Sequence, residues 1–129
     1  MANVRKLKVT ARQAAFAVVG TGTATISIYD AIHTRQTIDA ANVELTISDI
    51  AYDVGNAANI TRDGNVVFAC SAGSGEHNYT DSLGVVLDDK KSANLSINLG
   101  AIEGIMVIQF TKGDGYDDPD RQNQGPGSL

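Results

Sequence analysis

Apolar and polar residues alternate along three short stretches of the chain, 23–29, 42–48 and 93–99. In each stretch Ala, Val, Ile or Leu occupies one parity, and Thr, Ser, Asn, Glu or Tyr occupies the other. Successive side chains of a β-strand point to opposite faces of a sheet, so this period of two predicts half-buried strands. Residues 105–111 carry apolar side chains on both parities until Gln109, which predicts a more fully buried strand.

The alternation changes phase near Ser48 and Asp49. Apolar residues occupy the odd positions over 43–47, and Asp49 stands where the next one is due. They resume on the opposite parity over 50–54. One extra residue in a strand shifts the parity of everything after it, so this pattern predicts a β-bulge or a strand break.

A tight turn is predicted at Asp63-Gly64, between the strand-like runs 60–62 and 65–68. Glycine accepts the positive φ that a two-residue hairpin turn requires. Other segments leave alternatives open. Residues 4–10 fit an edge strand or an arm, and 11–19 and 31–41 fit helix or strand. Residues 84–87 form a short strand candidate, and 73–78 are interpreted as a Gly-rich polar loop.

The number and length of these segments predict an all-β fold. Six to eight short strands with turn signals between them, and no convincing long helix, favour a β-sandwich or a jelly-roll-like domain. The chain has 129 residues, 43% of them hydrophobic, which suits one domain with its own core. We divide it into a basic N-terminal arm or edge strand (1–12), a β-sandwich domain (13–112) and a Gly-, Asp- and Pro-rich acidic C-terminal tail (113–129).

Charge is distributed unevenly along the chain. The first twelve residues hold four bases and no acid, whereas the remainder holds six bases against fifteen acids, a net charge of −9. The four bases are Arg5, Lys6, Lys8 and Arg12. They are candidate contacts to an acidic neighbour, including another copy of this chain, although plain solvated strands carry such charges too. The acidic remainder argues against nucleic acid as the main partner.

The segment 113–129 has too few apolar residues to build a core and is predicted to be extended. It is either a frayed terminus or an arm that orders on a neighbouring subunit. On the second interpretation, Tyr116, Asp117 and Asp118 are candidate partner contacts. The Asp residues between 114 and 120 offer oxygen ligands for Ca²⁺, but the segment lacks the closing Glu of a calcium loop. We therefore predict no metal site.

Candidate catalytic residues do not form a recognisable site. The two His, His33 and His77, are far apart in sequence, and no nucleophile elbow, zinc spacing or phosphate-binding loop is present. The single cysteine, Cys70, lies in an apolar run and is predicted to be a buried small hydrophobe. Neither an export signal nor a stretch of ~20 apolar residues occurs. We expect a soluble, non-enzymatic protein with no cofactor and no membrane partner, made in a cytoplasm.

About half of the chain, 46–112, resembles small β-sandwich structural proteins that tailed bacteriophages encode among their virion genes. The similarity is carried by the hairpin sequence 60–68, by the Gly- and Ser-rich segment that ends at Tyr79, and by the strand-like pair 92–97 and 107–112. The resemblance implies a capsid decoration (cement) protein on the virion surface. Such a protein would bind the major capsid protein as a homo-oligomer or in many copies, with the basic N-terminal segment and the acidic tail as tethers.

Two other hypotheses stay open. The second hypothesis is a tail or fibre protein of the virion, because the sequence lacks any marker that separates head decoration from those parts. A cellular carbohydrate-binding or adhesin module is the third hypothesis, and it would require exposed aromatic residues or a Ca²⁺ site. An enzyme ranks last, because it would need ionisable side chains to converge around His33 or His77.

Overall fold

The structure is a computed structural model that describes residues 1–33, 36–78, 92–113 and 115–117. Two antiparallel sheets contain most of the described residues, and an apolar core lies between them. The predicted all-β sandwich is therefore confirmed. Among the described residues, no helix is long and apolar enough to cross a membrane.

Eleven strands and one short 3-10 helix make up the described fold. In chain order the strands are β1 (Asn3–Val9), β2 (Gln13–Gly20), β3 (Thr23–Ile26), β4 (Thr37–Ile38), β5 (Leu45–Val54), β6 (Ala58–Arg62), β7 (Asn65–Cys70), β8 (Gly73–Asn78), β9 (Leu95–Asn98), β10 (Gly104–Lys112) and β11 (Tyr116–Asp117). The 3-10 helix, Ile28–Ala31, follows β3 and begins with a capping box between Ser27 and Asp30.

The larger sheet has five strands in the order β1-β2-β10-β5-β8. The smaller sheet has four strands in the order β3-β9-β6-β7, and β11 forms a separate short pair with β4. Nine of the described strands thus build the two main sheets, against the six to eight expected. The additional strands are β1, which the sequence left open as an arm, and β8, which the sequence did not predict.

The core is built from aliphatic side chains at alternate strand positions. Phe16 of β2 and Phe110 of β10 add an edge-to-face aromatic pair with ring centroids 6.0 Å apart. Strand β10 buries Met106, Ile108 and Phe110, whereas its opposite parity points away from the core and leaves Ile105 39% exposed. The prediction of a strand buried on both faces is therefore corrected: β10 buries one face fully and the other only in part.

The phase change at Ser48 is a β-bulge. Asp49 lies opposite Gln109 and Ile47 lies opposite Phe110, so Ser48 is an extra residue in β5. Its hydroxyl donates a hydrogen bond to the Gln109 carbonyl oxygen at 3.1 Å. The bulge keeps Ile47 and Ile50 on the same buried face.

The predicted hairpin turn is also present. Arg62 of β6 lies opposite Asn65 of β7, with Asp63 and Gly64 as the two loop residues. Both have positive φ, 50° for Asp63 and 81° for Gly64. This is the backbone that a type I′ turn requires, and an Asp-Gly pair adopts it at low cost.

Three other segments have different outcomes. Residues 73–78, predicted as a polar loop, form the outer strand β8 and pair with β5. Residues 11–19 lie mostly in β2, so the strand alternative holds there. The strand candidate 84–87 lies outside the described residues.

Candidate interaction surface

The four predicted basic residues lie on one hairpin. Arg5, Lys6 and Lys8 are exposed along β1, and Arg12 is exposed in the turn that leads into β2. In the described part of the chain, none of the four pairs with a carboxylate. We call these four residues the basic edge. The sequence alternative of an edge strand is thus correct, and the alternative of a free arm is not.

The turn of this hairpin is held by local hydrogen bonds. The Thr10 hydroxyl accepts from the backbone N–H of Gln13 at 3.0 Å, and the Thr10 N–H donates to the Gln13 carbonyl at 2.8 Å. The Lys8 ammonium donates to the Gln13 side-chain oxygen at 3.0 Å. The basic residues are therefore presented by an ordered element.

A shallow groove of about 300 Å³ runs beside β1. Its lining residues are Lys6, Leu7, Lys8, Val9, Ile32 and His33. Leu7 is 55% exposed because a bulge between Lys6 and Lys8 turns it out of the regular register. Among the described strands, β1 bonds only to β2, so its other side carries main-chain groups without a strand partner.

Tyr116, a predicted partner contact, packs against its own domain. It is only 8% exposed, and its hydroxyl donates to the Ile28 carbonyl oxygen at 2.7 Å. Burial raises the pKa of this phenol, against a lowering by the nearby positive charge of Arg62. The assignment of Tyr116 to a partner surface is therefore corrected: it anchors the chain to the sandwich.

The predicted tail consequently begins later than residue 113. Strand β11 pairs with β4, Tyr116 opposite Ile38, and the backbone at Gly115 passes close to that of Val43. A Cβ on Gly115 would lie 2.4 Å from the Val43 Cα, and its φ of 91° favours glycine. The backbone of Asp117 belongs to β11, whereas Asp118 and the other tail Asp residues, 114 and 120, lie outside the described residues.

Two buried cations near Tyr116 escaped the sequence prediction. Lys112 is 3% exposed, and its ammonium donates to the carbonyl oxygens of Thr10 at 2.8 Å and Ala31 at 2.5 Å, and to the Gln36 side-chain oxygen. The same ammonium lies 4.8 Å from the centroid of the Tyr116 ring, within cation–π range.

Arg62 is fully buried on the facing sheet. Its guanidinium donates to the carbonyl oxygen of Ala93 at 3.1 and 2.8 Å and to that of Leu45 at 2.6 Å, which links β6 to β5. We call Arg62, Lys112 and Tyr116 the buried end. Strand parity could have revealed both cations, because Arg62 follows the inward Ile60 and Lys112 follows the inward Phe110 by two residues.

Two observations on the described residues concern metal binding and thiol reactivity. No group of three or more His, Cys, Asp or Glu side chains within them could hold a metal ion. Burial raises the pKa of the Cys70 thiol, against a lowering by a hydrogen bond to the backbone of Ala58, and Cys70 packs partly buried against the core. A protonated thiol is a poor nucleophile.

An aromatic cluster that the sequence did not predict lies between β5, β7 and β8. The ring centroids of Tyr52 and Phe68 are 5.8 Å apart, and those of Phe68 and His77 are 6.0 Å apart. The pairing of β5 with β8 and the packing of β7 from the other sheet bring these distant positions together. This explains why the dispersed aromatic residues gave no signal in the sequence.

Comparisons with known proteins assign no family. No family model matches the sequence, and neither does any curated protein. A conserved protein of unknown function from Streptococcus pyogenes shares 11% identity over 89% of this chain and 77% of that chain, with a TM-score of 0.42. A cupin superfamily protein from Desulfitobacterium hafniense shares 10% identity over 83% of this chain and 75% of that chain, with a TM-score of 0.35. Similarity at these levels assigns no function.

Proposed function

We propose that this chain is a non-enzymatic structural subunit that acts by binding other protein subunits. In its most specific form it is a capsid decoration protein, which binds and stabilises the major capsid protein lattice of a tailed bacteriophage and is located on the virion surface. The observation that carries the proposal is the basic edge, an outermost strand with exposed cationic side chains and a groove beside it. The sequence resemblance to virion proteins selects the phage capsid as the assembly.

The physical argument rests on how edge strands bind. An extended segment of a neighbouring subunit can add its main chain to an outermost strand, and side-chain pockets then give specificity. Lys6 and Arg12 would attract an acidic segment, and the exposed Leu7 beside the groove offers an apolar contact. Each contact can be weak, since many copies on one lattice add avidity.

The first test locates the protein in the particle. Mass spectrometry of separated heads and tails from the phage that encodes this chain should find it in many copies on heads. Particles that lack it should lose their DNA at a lower temperature than complete particles. Low copy number confined to tails would favour the tail or fibre alternative, and absence from the particle would reject both virion hypotheses.

The second test asks whether the basic edge makes the contact. The double variant Lys6→Gln, Arg12→Gln should bind heads that lack the protein at least about tenfold more weakly, because it loses two charges at the contact. The control Thr25→Glu, Ala69→Glu changes the net charge by the same amount at exposed positions of the other sheet. Equal weakening by both variants would show a general charge effect and would reject the basic edge as the contact.

The aromatic cluster gives a specific reason to keep the carbohydrate-binding module as an alternative. Tyr52, Phe68 and His77 form a small group of rings at one side of the sandwich, and sugars stack on such rings. A glycan array with the whole chain and with Phe68→Leu would test it. Binding that Phe68→Leu abolishes, in a protein that does not bind heads, would replace the capsid proposal.

A further inference from the structure

Three lateral rows of residues cross the outer face of the five-stranded sheet. The strand registers give them as Asn3-Val19-Ile105-Asp53-Ser74, Arg5-Ala17-Val107-Ala51-Glu76 and Lys8-Ala15-Gln109-Asp49. The intervening parity holds the residues of the core cluster, such as Phe16 and Ile108, so these rows point away from the core. In the second row the small Ala17 is itself only 5% exposed. We call this surface the five-strand face.

Charge changes sign from one side of the five-strand face to the other. Arg5 and Lys8 lie on β1, Asp49 and Asp53 lie on β5, and Glu76 lies on β8. Between them, β2 and β10 contribute mainly small or apolar residues: Ala15, Ala17, Val19, Ile105 and Val107. Strand β10 is the middle strand of the five, so the centre of the face is apolar and the two sides have opposite charge.

These opposite charges cannot neutralise each other within one chain. Arg5 and Glu76 belong to the same row but lie four strand spacings apart, roughly 19 Å at the usual separation of strands. That distance exceeds the screening length of about 8 Å at physiological salt. A partner with the inverse order of charges could neutralise both sides at once.

A second copy of the chain has that inverse order. A two-fold axis parallel to the strands and passing over β10 places β1 of one copy above β8 of the other. Arg5 then faces Glu76 of the second copy, and Val107 lies near the axis and faces its own equivalent. A two-fold axis perpendicular to the strands would place base on base and acid on acid, so charge selects the first arrangement.

We propose that the five-strand face binds a second copy of this chain and forms a two-fold symmetric dimer. One end of this face has a groove of about 400 Å³, which is lined in part by Val19, Asp53 and Ile105. Side chains of a second copy can occupy this groove. Face-to-face packing of two sheets is a common solution for a half-apolar face. The proposal deepens the assembly function above by naming a partner and a surface, and its own support is the strand registers and the order of charges that they produce.

The outer face of the four-stranded sheet supplies the control. Its rows are Thr23-Asn98-Asn59-Ala69 and Thr25-Ser96-Thr61-Val66, which are mostly hydroxyl and amide residues without a charge. Ser96 lies on the inner strand β9 of this face, as Val107 lies on the inner strand β10 of the other.

Sedimentation velocity of the full chain over a concentration series tests the dimer. The unchanged chain and Ser96→Arg should both sediment as dimers. Val107→Arg places two like charges near the two-fold axis and should sediment as a folded monomer, with an unchanged circular dichroism spectrum. A monomeric unchanged chain overturns the proposal, and so does a Val107→Arg variant that still dimerises as tightly.

Charge exchange tests the orientation of the two copies. Arg5→Glu and Glu76→Arg should each weaken dimerisation by about tenfold, because each sets like charges opposite one another in both symmetric contacts. The double variant restores opposite charges and should return the dissociation constant to within about threefold of the original. If the two substitutions weaken dimerisation additively in the double variant, the proposed orientation of the two copies is wrong. A dimer that does not bind phage heads would reject the capsid function and leave this inference intact.

Discussion

The protein uses Lys and Arg in two contrasting ways, at the buried end and at the basic edge. At the buried end, Arg62 and Lys112 lie between the sheets, and backbone carbonyl oxygens accept hydrogen bonds from both. At the basic edge, Arg5 and Lys6 are exposed and have no carboxylate beside them in the described part of the chain. The same residue types therefore hold the fold together in one region and leave charge available to a partner in the other.

The contrast follows from the cost of removing a charge from water. A cation can be buried only where acceptors replace its hydration, so the buried end depends on a fixed set of carbonyl groups. An exposed cation keeps its water and contributes little to folding. Substitutions at the buried end should change stability, whereas substitutions at the basic edge should change association.

The largest expected effect is that of Lys112→Met. The change leaves the buried carbonyl oxygen of Ala31 and the part-buried one of Thr10 without this donor, and we expect the free energy of unfolding to fall by about 3 kcal/mol. Urea denaturation followed by circular dichroism measures it. The control Lys6→Met should stay within about 0.5 kcal/mol of the original. Similar losses in the two variants would contradict the contrast.

A smaller loss is expected for Arg62→Lys. Lysine keeps the charge but cannot reach Ala93 and Leu45 with one planar group, so we expect unfolding to become easier by about 2 kcal/mol. The matched change Arg5→Lys on β1 should leave stability unaltered. If Arg62→Lys were equally neutral, charge alone and not the forked geometry would be the requirement at the buried end.

Tyr116→Phe should cost about 1 kcal/mol at neutral pH, through the lost hydrogen bond to the Ile28 carbonyl. It should also change the response to alkali. Burial raises the pKa of the folded Tyr116 phenol above the unfolded value of about 10. The contribution of the neutral phenol is therefore complete below pH ~10 and is lost as the pH rises further.

The alkaline part of this prediction is read from the pH dependence of the unfolding midpoint. The unfolding midpoint of Tyr116→Phe should decline less steeply above pH ~10 than the midpoint of the original chain. Tyr29→Phe is the control, because it removes the same hydroxyl from an exposed tyrosine. An alkaline slope that is the same in Tyr116→Phe and the original chain would show that the phenol does not limit stability there.

The smallest effect on stability is expected from salt. Raising the ionic strength from about 0.05 to about 0.5 M screens exposed charges and should weaken self-association and binding to heads. The unfolding midpoint of the monomeric Val107→Arg variant should hardly change, because the buried end is shielded from the solution. A midpoint that fell as steeply as the affinity would mean that exposed charge also holds the fold.

Much of the fold was predictable because strand parity is a local signal. The alternation over 42–54 located β5 and its bulge at Ser48, and Asp63-Gly64 located the hairpin between β6 and β7. Strand β8 was missed because its glycines and polar residues have no apolar parity; pairing with β5 makes it a strand. Tertiary context thus overrides local propensity there.

The candidate surface was predictable in its residues but not in its arrangement. The sequence identified Arg5, Lys6, Lys8 and Arg12, since four bases without an acid stand out in an acidic chain. It could not place Glu76 at the far side of the same face, because that requires the strand order β1-β2-β10-β5-β8. Tyr116 was misplaced because a single aromatic residue in a glycine-rich segment carries no information on what it packs against.

The extra residue Ser48 also decides how the chain can tolerate shortening. Removing Ser48 would leave Ile47, Asp49 and Ile50 in regular alternation, so every later side chain of β5 would keep its side of the sheet. Removing a residue from the regular part of β5 would move the side chains on one side of the deletion to the opposite face of the sheet. Loss of Asp49 would restore the same alternation, with Ser48 in its place. Among single-residue deletions within β5, loss of Ser48 or Asp49 is therefore the kind that lineages of this protein could accumulate without first rebuilding the interior.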